Sequence, residues 1–199
     1  IIEAIDKYLA KADDELSDVL ADEGYADAED SVEVINAMQE EIAETLQNQT
    51  DDLVEALAAE QDSGWAAAQK KVSEMLDGDD IAEQVQEAAA DMFQTEVPKL
   101  ATVYMQETDG DLVVDVIRQR TKSWIASWSQ RLGQLMKINT HQQITDIIQR
   151  TIDQGESIET LTRKIMDGGW RNEHYQARRV AVTEVLRAHS VAREEAIQQ

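Results

Sequence analysis

The stretch Arg178-Arg179-Val180-Ala181-Val182-Thr183-Glu184-Val185-Leu186-Arg187-Ala188 lies at the centre of residues 149–196, where helix-forming residues are divided only by Gly155 and by Gly168-Gly169. That punctuation predicts three helices in close order. The first, Thr140 to about Gln154, opens on a capping box of Thr140 and Gln143 and closes on Gly155 as its left-handed C′ residue. The second, over 157–167, is capped by Ser157, presents Ile158, Leu161, Ile165 and Met166 on its inner face, and ends at Gly168-Gly169. The third is capped by Asn172 and runs to about Ile197.

Working outward, the rest of the chain reads as helix too. There is one proline and one phenylalanine, and no cysteine, among 199 residues rich in Ala, Glu, Gln, Leu and Ile. The β-branched and aromatic runs of strands are scarce, so the expected class is all-α. Residues Val32, Ile35, Met38, Ile42, Leu46, Leu53 and Leu57 recur at spacings of three, four and seven. They mark one long amphipathic helix, with Ser31 as its N-cap, and Gln49 and Ala56 weaken the seam. Shorter helices are expected over Ile1–Leu20, over Trp65–Leu76 and over Ile81–Val97, the last kinked or ended near Glu96 by Pro98. Leu112 to Ile138 reads as one helix carrying Trp124 and Trp128.

Charge divides the chain. Residues 1–110 hold 30 acidic and 5 basic side chains, a net of −25, and residues 111–199 hold 11 and 13, a net of +2, within a total of −23. The turn Thr108-Asp109-Gly110-Asp111 is therefore the expected boundary between an acidic helical region (1–110, a coiled coil or bundle) and a compact helical module (111–199) in an elongated assembly. The acidic half should repel nucleic acid and anionic membranes. No run is long and apolar enough to span a bilayer, and nothing resembles a signal peptide. Because the sequence begins at Ile1 rather than Met, it is expected to be part of a longer protein.

Little in the sequence speaks of catalysis. His141, His174 and His189 are not spaced as metal ligands and are expected at the surface or at caps. Calcium-loop offsets fail around Gly78 and Gly110. There is no phosphate-binding glycine loop and no serine elbow. The expectation is a protein that is not an enzyme and uses no cofactor or metal. Trp124 and Trp128 share a helix face, either as core or as anchors for a partner. Arg178, Arg179, Arg187 and Arg193 could contact phosphate, but with Glu173, Glu184, Glu194 and Glu195 among them a mixed-charge, solvent-facing surface is the plainer expectation. A Thr183 hydroxyl bonded to the Arg179 carbonyl, and a Glu184 carboxylate clamping a basic group, are the roles that helix geometry offers this pair.

From Trp124 to Ala196 the pattern resembles the phage head morphogenesis family, the minor head proteins typified by those of phages SPP1 and Mu. The resemblance rests on the tryptophan-bearing helix, Ile144 to Ile152, Asp153-Gln154-Gly155-Glu156-Ser157, Leu161 to Ile165, and Arg178 to Glu184 with Ala188. Ala181, Thr183 and Glu184 keep the family's Ala-Arg-Thr-Glu pattern, whereas Val182 stands where its arginine does. Arg178, Arg179 and Arg187 are the candidates to replace that arginine. The resemblance implies a virion protein of low copy number at the portal and the head interior, made in the host cytoplasm. It would assist head assembly and genome packaging or delivery, become oligomeric on the portal, and touch genomic DNA transiently through its C-terminal half. The alternative is an acidic helical protein-interaction module, or a portal- or scaffold-like segment fused to a minor head module. An enzyme fragment whose catalytic half lies elsewhere is the third.

Overall fold

A computed structural model describes residues 8–9, 11–78, 80–107, 113–114 and 116–198, with the side chains of residues 168–172 excepted. Six helices are defined among them: α1 (Asp13–Asp22), α2 (Ala28–Ala59), α3 (Trp65–Leu76), α4 (Asp80–Gln106), α5 (Gln119–Asp153) and α6 (Ile158–Gln198). No strand occurs among the described residues, and the all-α class holds. None of these helices is long and apolar enough to cross a membrane.

The apolar residues expected on the long second helix, from Val32 to Leu57, are all buried on α2. They pack within the chain, mainly against α6 and α4. Two cores result. The larger gathers Leu16 and Leu20 of α1, Ile35 and Ile42 of α2, Phe93 and Val97 of α4, Ile125 of α5, and Ala181, Val182 and Val185 of α6. The smaller joins Leu53 and Leu57 of α2, Val72 of α3, Ile144 and Ile148 of α5, and Leu161 and Ile165 of α6. Ile144, Ile148, Leu161 and Ile165 belong to the smaller core and Val182 and Val185 to the larger, so the C-terminal helices do not share one core. Charge changes sign near residue 110, but packing does not stop there, because the larger core takes residues from both sides of that point.

This arrangement corrects several boundaries. Gly168-Gly169 does not end a helix and none begins at residue 172: α6 is continuous from Ile158 to Gln198. Thr140 opens no helix, since α5 passes through it and its hydroxyl donates to the Met136 carbonyl at 3.0 Å. Both positions lie where a helix leaves one core for the other. A glycine inside a helix costs about 1 kcal/mol, whereas each buried Leu or Ile on the flanking turns contributes roughly 1.5–3 kcal/mol. Packing on both sides therefore carries the helix across. The same waist holds Gln49 of α2, whose Oε1 is buried with no hydrogen-bond partner among the described residues, as are Glu173 Oε2 and His141 Nε2.

At the other ends, α5 begins at Gln119, so Val113, Val116 and Ile117 precede it rather than ride on it. Leu112 and Thr108–Asp111 lie outside the described residues. Pro98 sits inside α4, which runs on to Gln106 and ends no earlier on its account. Helix α2 starts one turn before Ser31, after Asp27 in a left-handed conformation, and Ser31 is a buried helical residue instead of a cap. The first expected helix is interrupted at Lys11-Ala12, and residues 1–7 are outside the description.

Other local signals hold. Gly155 takes φ +67°, with its N–H on the Ile152 carbonyl and that of Glu156 on Thr151, the paired bonds of a Schellman C-terminus. Ser157 Oγ accepts the Thr160 N–H at 3.2 Å, as an N-cap does. One glycine works by size alone: a Cβ at Gly133 of α5 would lie 2.1 Å from the Ala82 carbonyl oxygen of α4, so the two backbones touch there.

Candidate functional site

Helices α5 and α6 bring together four of the seven side chains singled out in the sequence: Trp124, Trp128, Glu184 and Arg187. On α5, Trp124 and Trp128 lie one turn apart and stack in parallel, centroids 6.2 Å apart, while Phe93 of α4 meets Trp124 edge-on at 5.3 Å. On α6, Glu184 is 2% exposed. Its Oε2 accepts the Trp128 indole N–H at 2.7 Å and the Arg187 Nε–H at 3.0 Å. The Arg187 guanidinium also lies 4.0 Å from the Trp128 ring centroid, so one arginine serves the carboxylate and the aromatic face together. Thr183 donates to the Arg179 carbonyl at 2.7 Å, the bond expected from its place on the helix.

Burial raises the Glu184 carboxyl above the ordinary carboxylate value, and the Arg187 charge and the two hydrogen bonds act against that rise. A carboxylate held this way is a clamp for a cation and an indole, both on Oε2. Val182, standing where the resembled family has arginine, is fully buried in the larger core. Arg187, three residues beyond Glu184 on the same helix, supplies the cation instead.

Arg178 and Arg179 do not join the cluster. Arg178 turns toward α1 and α2, donating to Gln39 Oε1 at 3.1 Å and to the Lys11 carbonyl at 3.2 Å, beside Asp13 at 3.3 Å. Arg179 lines a groove between α5 and α6 with Met136, Asn139, Gln143 and Tyr175, and has no ion-pair partner among the described residues.

Three further features of α6 contradict the expectation of a solvent-facing, mixed-charge surface. Glu173, Glu184 and Glu195 are all buried, at 8%, 2% and 0% exposure. Glu173 accepts the Thr50 hydroxyl of α2. Glu195 receives the Arg118 backbone N–H at 2.8 Å, the Arg118 Nε–H at 3.1 Å and the Thr121 hydroxyl. It thus serves the free amide end of α5 from a different helix. His189, expected at the surface, is also fully buried. Its Nδ1 lies 2.8 Å from Tyr104 OH and its Nε2 2.9 Å from Ser31 Oγ. Tyr104 OH already accepts the Ala26 N–H, so we assign its hydrogen to Nδ1 and the ring hydrogen to Nε2, which donates to Ser31. Burial, then the Arg193 charge, lowers the His189 pKa to about 4, and the ring is neutral at pH 7. The signal for the three glutamates was present as an 11-residue spacing, three helical turns, which puts them on one face.

No group of three or more acidic or histidine side chains suited to a metal ion occurs among the described residues. No family model matches the sequence. The chain is similar to the Uncharacterized protein YqbB of Bacillus subtilis (strain 168), with 34% identity over 121 residues, 61% of this chain and 39% of that protein. The chain thus spans well under half the length of that relative. No solved structure matches.

Proposed function

We propose that this chain is a structural minor head protein of a tailed bacteriophage, binding the portal and assisting head assembly and genome packaging or delivery, without enzymatic activity. What supports the reading is that residues named by the resemblance meet in one place: Trp124, Trp128, Glu184 and Arg187, on two helices, with 56 residues between Trp128 and Glu184. A short sequence motif whose members form one clamp is more than a run of letters. Its role in this reading is to hold α5 and α6 in a fixed mutual register, so that their outer faces present a rigid surface to the portal. Placement in the head interior near the portal belongs to the same proposal.

The alternative, an acidic interaction module, rested on the seam from Val32 to Leu57. Those side chains are buried inside the chain, so that reading stands on the lack of catalytic motifs alone. Mass spectrometry of purified virions and procapsids, from the phage whose genome carries this coding sequence, tests the proposal. Peptides of this chain in both particles at low copy number are expected. Absence from both rejects it.

A further inference from the structure

The exposed face of α2 carries Glu33, Glu40, Glu44, Asp51 and Glu55, a single stripe opposite the buried seam. No cation pairs with any of them among the described residues. Next to it Glu41 is held above the ordinary carboxylate value, by burial first and then by Asp91, Glu44 and Glu87, so this side of the molecule carries acid in excess. The opposite condition exists on α5. Arg120 and Arg131 are exposed on one stripe of that helix and have no ion-pair partner among the described residues. Arg179 of α6, in the adjoining groove, is likewise unpaired, whereas Arg118, Arg178 and Arg187 are all engaged. Leu135 (42% exposed) and Ile138 (57%) follow Arg131 within two turns of α5, and Tyr175 (50%) lines the groove with Arg179.

The spacings agree as well as the signs. Arg120 and Arg131 are 11 residues apart, and so are Glu33 and Glu44, Glu44 and Glu55, and Glu40 and Asp51. On helices this is about 16 Å in each case, so two charges on one stripe meet two on the other. We propose that the basic, apolar-flanked face of α5, with Arg179, receives the acidic α2 ridge of a second copy of this chain. The net charge of −23 opposes encounter of two copies. At physiological ionic strength that repulsion is screened beyond about 8 Å, while the contacting pairs lie within that distance. Leu135, Ile138 and Tyr175 then contribute the desolvated anchors that charge pairs alone do not. The proposal does not depend on the phage reading, since it uses only complementary surfaces of the chain itself.

Sedimentation velocity of the full chain over a concentration series at physiological ionic strength tests it. The parental chain is expected to associate with rising concentration. The variants Arg131→Glu/Arg179→Glu and Glu44→Lys/Glu55→Lys should each associate roughly tenfold or more weakly. An equimolar mixture of the two should regain association, because each reversed surface then faces its complement. All four positions are exposed or half-buried, and unchanged melting checks that folding is intact. Should the first basic-face variant melt early, Arg120→Glu/Arg131→Glu takes its place. A parental chain that stays monomeric throughout, or variants that fail to rescue each other, overturns the proposal.

Discussion

Glu184 and His189 lie five residues apart on α6, and both are buried, yet they meet burial in opposite ways. Glu184 keeps a charge-accepting role and is matched by the Trp128 N–H and the Arg187 guanidinium, all within the C-terminal half. His189 gives up its charge and is matched by two hydroxyls, those of Ser31 and Tyr104, both from the N-terminal half. The first site fastens α5 to α6. The second fastens α6 to α2 and α4, and so ties the basic-leaning part of the chain to the acidic part. The lesson is that an ionisable residue inside a helical bundle is settled by what the neighbouring helices bring to it, since each solution satisfies the hydrogen-bonding atoms.

The largest expected effect comes from removing the carboxylate. Glu184→Ala leaves the indole N–H unmatched and the half-buried Arg187 guanidinium without its carboxylate, and should lower stability by about 2–4 kcal/mol in denaturant unfolding. A loss below about 1 kcal/mol would mean that Trp128 and Arg187 find water without cost, and the clamp would not be a clamp.

Acid should separate the two sites next. His189 has its folded pKa lowered to about 4 from 6.5, so the folded state resists protonation and the unfolded state does not. Its contribution is fully present above pH 6.5 and is lost as pH falls toward 4, on the order of 2–3 kcal/mol in all. Glu184 slopes the other way: its raised folded pKa makes its contribution greatest below the ordinary carboxylate value, and that contribution declines as pH rises. Relative to the parental chain, His189→Gln should therefore lose less stability between pH 6.5 and 4. Parallel curves for the two proteins would show that His189 does not titrate in this window.

Trp128→Phe keeps the ring but removes the N–H donor, and should cost about 1–2 kcal/mol, with the larger part absent when Glu184→Ala is already in place. Additive losses in that double-mutant cycle would deny the Trp128–Glu184 coupling. Ser31→Ala, at the other site, should cost about 1 kcal/mol, the smallest of the set, because only one neutral bond to His189 is lost. Since His189 and the larger core join both halves, each of these variants should still unfold in one transition. Two transitions, or ready proteolysis at 108–111, would instead favour the separate acidic and basic units that the charge pattern suggests.

Much of the fold was legible. The α2 seam, the Gly155 terminus and the Ser157 cap are local features, and the side chains that make them are neighbours in sequence. The bond from Thr183 to Arg179 was legible for the same reason. Glu184 as a clamp of a basic group was legible in kind, but the choice of Arg187 over Arg178 or Arg179 was not. All three lie within two turns, and only the position of α5 and its Trp128 decides which one can stack. His189 was misplaced because a lone histidine carries no periodic signal, and its partners are 85 and 158 residues away.

By itself the sequence determined the helical class, the buried face of α2 and the chain's charge asymmetry, because propensity, 3.6-residue periodicity and charge are properties of nearby residues. Only the tertiary structure decided that α5 and α6 run unbroken through Thr140 and Gly168-Gly169, and that Glu173, Glu184, His189 and Glu195 turn inward. A helix break costs or gains about 1 kcal/mol locally. Two apolar cores, one on either side of the break, outweigh it, and the same packing brings to each buried polar atom the distant partner that makes its burial tolerable.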